Sequence, residues 1–385
     1  MRTFGNCRRQ GVTILAAAAS LAMGAAVHAT PAYQGISLYP LAAPTGGTVG
    51  TLQGINGGQT FGSVQIGSNT LASIWGANGW LTVLQPSNLG YYSGSMVTVA
   101  LPGMQGGYAV NSDTNQNHAV IWTGAADTAV DLNPNVLYGY YTSQINAASG
   151  NQQVGSGASV EHGNHGLIWS GTPDSAIDVN PAGALGSVLL GTDRVNQVGY
   201  SVPSQFGTDA TMWSGTADSY VSLAGPNLLN SEAVAVSGGQ EVGSGNFRAS
   251  AGEQPTHAIL WTGTADSAVD LHPSSAYWKS WAVATNGVEQ VGYVWPSPDY
   301  EIQYAFLWQG SAASAVNLQQ LLPAGLQSSK AFSIDASGDV YGVALDNWGV
   351  YHAVEWTPVP EPAGVVAVII AGWALMSRRR IRREK

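Results

Sequence analysis

Seven tryptophans, Trp75, Trp122, Trp169, Trp213, Trp261, Trp308 and Trp356, recur at intervals of 47, 47, 44, 48, 47 and 48 residues. Most of them close one short apolar phrase: HAVIW (118–122), HGLIW (165–169), DATMW (209–213), HAILW (257–261), YAFLW (304–308) and HAVEW (352–356). A fixed period of this size marks a chain built from one supersecondary unit, which buries its apolar face only against its own neighbours. Propellers, solenoids and open arrays are the architectures that do this.

Aligned, the units give four short segments per period, which we name the Trp, Asp, Asn and Gly strands. In HAVIW, His118, Val120 and Trp122 alternate with Ala119 and Ile121, so both faces are largely apolar, as a sheet covered on both sides requires. AVDL (129–132), TSQIN (142–146) and QQVGSG (152–157) supply the other three, separated by turn-forming stretches. Four strands in about 47 residues is the size of a propeller blade. The ends discriminate further: the repeat starts on ISLYPL (36–41), which reads as an Asp strand, and stops after the Trp strand HAVEW. Asp strands near residues 38, 83, 130, 177, 221, 269 and 316 equal the Trp strands in number, so the first can complete the sheet that the last leaves open.

The sequence therefore predicts an all-β fold, a seven-bladed β-propeller of four-stranded blades closed by the N-terminal strand. The Asn strands, such as TSQIN and WAVATN (281–286), are expected at the channel. A β-solenoid or open β array is the alternative.

The first 29 residues carry Arg2, Arg8 and Arg9, an apolar run over 12–27 and a small-residue boundary, which predicts a signal peptide cut by signal peptidase between Ala29 and Thr30. Cys7, the only cysteine, leaves with it, so packing and not disulfides must hold the mature domain. The other end reads Pro360-Glu361-Pro362, then an uncharged stretch over 363–377, then a basic tail with Arg378, Arg379, Arg380, Arg382 and Arg383.

Those three elements, in that order, resemble the PEP-CTERM sorting signal of Gram-negative bacteria. The resemblance implies recognition by an exosortase, which is thought to cut at the motif, and a single transmembrane helix that anchors the chain transiently in the inner membrane. A basic tail favours the cytoplasmic side, while fifteen uncharged residues span only about 22 Å as helix. The expected organisation is a signal peptide at 1–29, the propeller at 30–357 and the sorting signal at 358–385. The units, with HAVIW, HAILW, YAFLW and the QVG triplets at 153–155, 197–199 and 290–292, also resemble the HAF family of probable extracellular repeats. That resemblance implies an extracellular β-repeat protein and brings no chemistry with it.

Between the two signals lie 21 acids and four bases, Arg194, Arg248, Lys279 and Lys330, a balance of −17. Such a surface repels phosphate backbones, so nucleic acid is not an expected partner. No nucleophile elbow, zinc-protease helix or phosphate loop is present, and no cofactor or metal is expected. His118, His165, His257 and His352 occupy equivalent positions, which symmetry spreads around a ring, so they read as strand-start residues with local hydrogen bonds. Asp127, Asp174, Asp218 and Asp266, with Asp131, Asp178 and Asp270 four residues on in three units, read as turn caps, with calcium as the sharper alternative. SIDASGD (333–339) reads as a hairpin turn.

Departures from the repeat are more informative. Residues 277–304 hold seven aromatics where a 9% average predicts between two and three. Trp278, Lys279, Trp281 and Trp295 are the candidate glycan contacts, because flat rings cover sugar faces and a lysine can meet an anionic group. Structural packing is the competing reading. The functional expectation is a secreted cell-surface or exopolysaccharide-matrix protein with a non-catalytic binding or structural role, whose partners include polysaccharide or a surface protein. The alternative is an extracellular carbohydrate-active enzyme, a lyase or hydrolase, on the same scaffold.

Overall fold

In the computed structural model the described residues are 32–359, apart from 57, 91, 135–138, 162, 204–206, 248–254 and 299–301. The expected signal-peptide cleavage site, the Pro-Glu-Pro motif, the transmembrane segment and the basic tail lie outside them. Among the described residues no helix is long and apolar enough to cross a membrane.

Seven antiparallel four-stranded sheets follow one another along the chain. Blades one to six take residues 47–83, 92–131, 140–178, 186–222, 228–270 and 279–317 in sequence order. Blade seven uses 326–358, and its outermost strand is Tyr33–Pro40, paired antiparallel to Tyr351–Pro358. The expected closure is therefore present, and Val359 N extends it by donating to Ala32 O at 2.7 Å. Each Asn strand is innermost and packs against the Asn strands of the blades before and after it, in an unbroken circuit from blade one to blade seven and back. The Asp strands are the outermost, and in blades two to six they are the shortest, with only two residues each.

The repeated tryptophan is the wedge between blades, and all seven are fully buried. Trp122 packs on Phe61, Ala72, Ile74 and Leu84 of the blade before, and Trp356 packs on Val291, Ala305, Leu307 and Leu318. At the seam Trp75 repeats the arrangement against Tyr39, Leu41 and Ala353, so the tryptophan wedge recurs there too. Burying a ring of this size removes 150–250 Å² from water, roughly 4–6 kcal/mol of transfer free energy at ~25 cal/mol per Å².

The QVG triplet has a local cause. In blade three the inner strand Tyr140–Ser149 carries a bulge between Ile145 and Ala147, and Gly155 lies opposite it. A Cβ on Gly155 would fall 2.0 Å from Gln144 O, and the same collision recurs at Gly107, Gly199, Gly243, Gly292 and Gly342. The glutamine two residues earlier is buried and accepts from the turn after the tryptophan: Gln153 Oε1 takes Gly171 N at 2.8 Å, and Gln197 and Gln290 do the same for Gly215 and Gly310. SIDASGD forms the expected hairpin, with Asp335 Oδ1 accepting from Ser337 N and Asp339 N.

Candidate binding site at one mouth of the channel

Most of the repeated polar residues are committed to bonds within and between blades. His118 Nδ1 donates to Asp131 Oδ2 at 2.8 Å, His165 to Asp178 at 2.7 Å and His257 to Asp270 at 2.8 Å. The other carboxylate oxygen of each aspartate accepts the backbone N–H two residues on, from Asn133, Asn180 and His272. The histidines thus make the local bonds expected of them. Where the aspartate is missing the histidine finds other partners: Ser37 takes its place beside His352, which also bonds Asp346.

The aspartates of the ADSA-like turn need a correction. Asp127, Asp174, Asp218 and Asp266 are exposed and provide no cap to their short 3₁₀ turns. The hydroxyl next to each one does the work instead: Ser175 Oγ accepts from Ser170 N and donates to Thr172 O, and Thr128, Ser219 and Ser267 repeat this. A serine or threonine on this turn reaches both backbone groups, whereas an aspartate cannot donate. Among the described residues no group of three or more His, Cys, Asp or Glu side chains converges as a metal site would need.

A second joint was not read from the sequence. On six inner strands a buried serine reaches the Trp strand of the preceding blade. Ser95, Ser143, Ser187, Ser231, Ser280 and Ser329 accept from Ala72 N, Ala119 N, Gly166 N, Ala210 N, Ala258 N and Ala305 N at 2.8–3.0 Å. Several donate a further hydrogen bond, Ser143 to Asn133 Oδ1 and Ser187 to Asn180 Oδ1. The signal was present as a serine at a fixed place in six of the seven Asn strands, but serine is too common in this chain to stand out.

The residue after each serine faces the other way, and there the repeat breaks down. Met96, Gln144 and Val188 occupy it in blades two to four, but Glu232, Trp281 and Lys330 occupy it in blades five to seven. Tyr293, across the sheet from Trp281, ties the three together. Its ring centroid lies 5.9 Å from Trp281 and 5.1 Å from Trp295, and the Lys330 ammonium stands 5.2 Å above it. Burial, then the Glu232 charge, pushes the Tyr293 hydroxyl well above its ordinary value. Burial likewise raises the Glu232 carboxyl, against the opposing hydrogen bond from Ser244, and lowers the Lys330 ammonium.

Of the four expected glycan contacts, Trp281 and Trp295 meet edge to face at 5.2 Å, and Trp295 is only 6% exposed, so its ring is packing. Trp281, Trp278 and Lys279 are half-buried. Trp278 bonds the backbone of Trp295, which holds the loop before the inner strand to the sheet. Tyr277 packs on Phe306 at 5.3 Å. The structure thus gathers part of the aromatic-rich segment in blade six and adds Glu232 and Lys330 from its two neighbours, which sequence distance had hidden.

No family model matches this chain, and no curated protein matches it. Solved structures do. The β-propeller domain of the Trilobed protease from Pyrococcus furiosus aligns with a TM-score of 0.44 and 12% identity, over 71% of this chain and 85% of that one. A structure from a study of two prolyl endopeptidases aligns at 0.50 and 10% identity, over 82% and 50%. Prolyl oligopeptidase B from Galerina marginata aligns at 0.51 and 9% identity, over 77% and 46%. This chain spans about half the length of those peptidases. At such identities the likeness is one of fold.

Proposed function

We propose that this protein is a secreted, non-catalytic binding protein of the cell surface or exopolysaccharide matrix, which meets its ligand at the channel mouth of blades five to seven. One observation carries the reading. Most of the polar residues that recur around the ring are used up in bonds within and between blades, while Glu232, Trp281 and Lys330, which break the repeat at one equivalent position, gather around Tyr293 in one sector. A scaffold that repeats and a surface that does not is the division of labour of a recognition module. The resemblance to PEP-CTERM proteins supports the address: export behind a signal peptide cut between Ala29 and Thr30, then sorting by an exosortase at Pro360-Glu361-Pro362.

The half-buried Glu232 and Lys330 favour a second reading, a carbohydrate-active enzyme, since displaced acid and base strengths mark reactive sites as well as binding ones. A glycan array run beside a sugar-release assay on the full chain separates the two. Retention of a glycan that Trp281→Ala abolishes, without turnover, supports binding. Turnover lost in Glu232→Gln supports the enzyme. Replacing Glu361 and following chain length in cells tests the sorting step, which an unchanged processing pattern would refute.

A further inference from the structure

The seventh joint of the ring differs from the other six. Between blades seven and one the inner strand of blade one begins Gly47-Thr48-Val49-Gly50-Thr51-Leu52, with no serine to reach back to the Trp strand. Its register shifts twice between Val49 and Gly54, and Thr51 N bonds Ser63 Oγ inside its own blade. A pocket of about 280 Å³ occupies this joint. Its lining brings together Lys330, Gln303, Ser328, Thr51, Phe332 and Tyr351. It opens on the face of the ring where the Trp strands begin, opposite the end at which Ala32 and Val359 meet.

The lining has an evident chemical bias. Lys330 brings one cation, and among the described residues it has no carboxylate partner within ion-pair distance. Its ammonium is held against the Tyr293 ring, which leaves its hydrogen-bond donors unfilled by any anion. Gln303 adds an amide and Thr51 a hydroxyl, the Ser328 hydroxyl being tied to the Gln303 backbone, and Phe332 and Tyr351 add apolar ring surface. Of the four bases set against 21 acids, Lys330 is the one that lines this pocket, and it is half-buried there. The volume lies at the small end of ligand sites, which run from about 300 Å³ upward. It suits one residue of a polymer and not a long segment.

We propose that this joint is a subsite for a carboxylate-bearing sugar, a uronic acid residue of an acidic polysaccharide, with Lys330 meeting the carboxylate and the hydroxyl and amide groups meeting the ring hydroxyls. The assignment rests on the binding reading above and names the ligand class for it. Burial makes the ammonium costly to leave unpaired, and a bound carboxylate relieves that cost, so the preference for an anion is built into the free protein.

Calorimetric or NMR titration of the full chain in mild detergent decides the matter, with short oligogalacturonates and oligoglucuronates as probes and neutral oligosaccharides and sodium acetate as controls. Binding of one of the uronate probes, at least about tenfold tighter than either control, is expected, with a loss of at least about tenfold in Lys330→Met. Thr51→Trp, which fills the pocket and leaves the lysine in place, is expected to abolish the same signal, and it decides the case if Lys330→Met does not fold. Equal uronate binding by wild type and both variants overturns the proposal, as does acetate or a neutral sugar binding as tightly as the uronate. If no uronate binds but the array retains a neutral glycan that Trp281→Ala releases, this subsite fails and the binding reading stands. If nothing saccharide is retained at all, both fail.

Discussion

His118 and Asp131, thirteen residues apart in sequence and on neighbouring strands of blade two, share a 2.8 Å hydrogen bond that His165–Asp178 and His257–Asp270 copy in two further blades. Tyr92 OH reaches the same Asp131 oxygen at 2.7 Å and Tyr140 OH reaches Asp178 at 2.8 Å, so these carboxylates collect bonds from histidine, tyrosine and backbone together. Burial alone would raise the acids. The bonds from histidine, backbone amide and tyrosine outweigh it and hold Asp131 and Asp178 below the ordinary carboxylate value. The folded state therefore favours the charged form, and its stabilisation is present above the unfolded-state value of about 3.9 and is lost as pH falls through the lower folded value. Melting temperature should drop on acidification below about pH 4. The Asp131→Asn, Asp178→Asn double variant should flatten that limb of the curve, and an unchanged acid profile would remove the pairs from the stability of the ring.

Glu241 stands where Gln105, Gln153, Gln197 and Gln290 stand in other blades, and its Oε2 accepts from Gly263 N at 2.7 Å. Burial raises its pKa against that bond. A raised folded value means full stability below the unfolded value of about 4.3, lost as pH rises through the folded one. Glu241→Gln should consequently raise the melting temperature at neutral pH and leave it nearly unchanged near pH 4. A neutral-pH loss would show that the charge has a partner of its own.

Ser143 links blades two and three by accepting from Ala119 N and donating to Asn133 Oδ1. Ser143→Ala strands both buried groups at a cost of about 1–3 kcal/mol. The urea midpoint should fall with the slope unchanged. A neutral result would mean that the joint is carried by the tryptophan wedge alone.

Gly155→Ala puts a methyl 2.0 Å from a backbone oxygen that the bulge holds in place. Destabilisation of about 1–3 kcal/mol or more is expected, against little change at Gly225, whose φ is ordinary and where a Cβ would meet nothing nearer than Ala265 O at 3.6 Å. Thermal melts of the two alanine variants give the comparison directly.

The fold was legible because each tryptophan wedges one joint, and seven such wedges leave a period that no loop insertion hides. Ring closure was legible for a related reason: ISLYPL had the form of a strand with no partner nearby in sequence, and HAVEW lacked its own. The site was less so. Glu232, Trp281 and Lys330 lie 49 residues apart in sequence, one per blade, and each is ordinary in its own unit. Only the ring brings them around one mouth. The aromatic excess at 277–304 pointed to blade six, yet could not show that Trp295 would be consumed in packing while Trp281 stays half-open.

Because Tyr33–Pro40 runs antiparallel to Tyr351–Pro358, and Val359 bonds back to Ala32, a load applied between the two chain ends falls on one rung of the ladder at a time. The seam would peel like a zip and not shear like a lap joint, so tension should open this ring at low force, with the remaining six blades still folded. An optical-trap ramp on the tethered chain would register that opening as a small first step ahead of the main rupture.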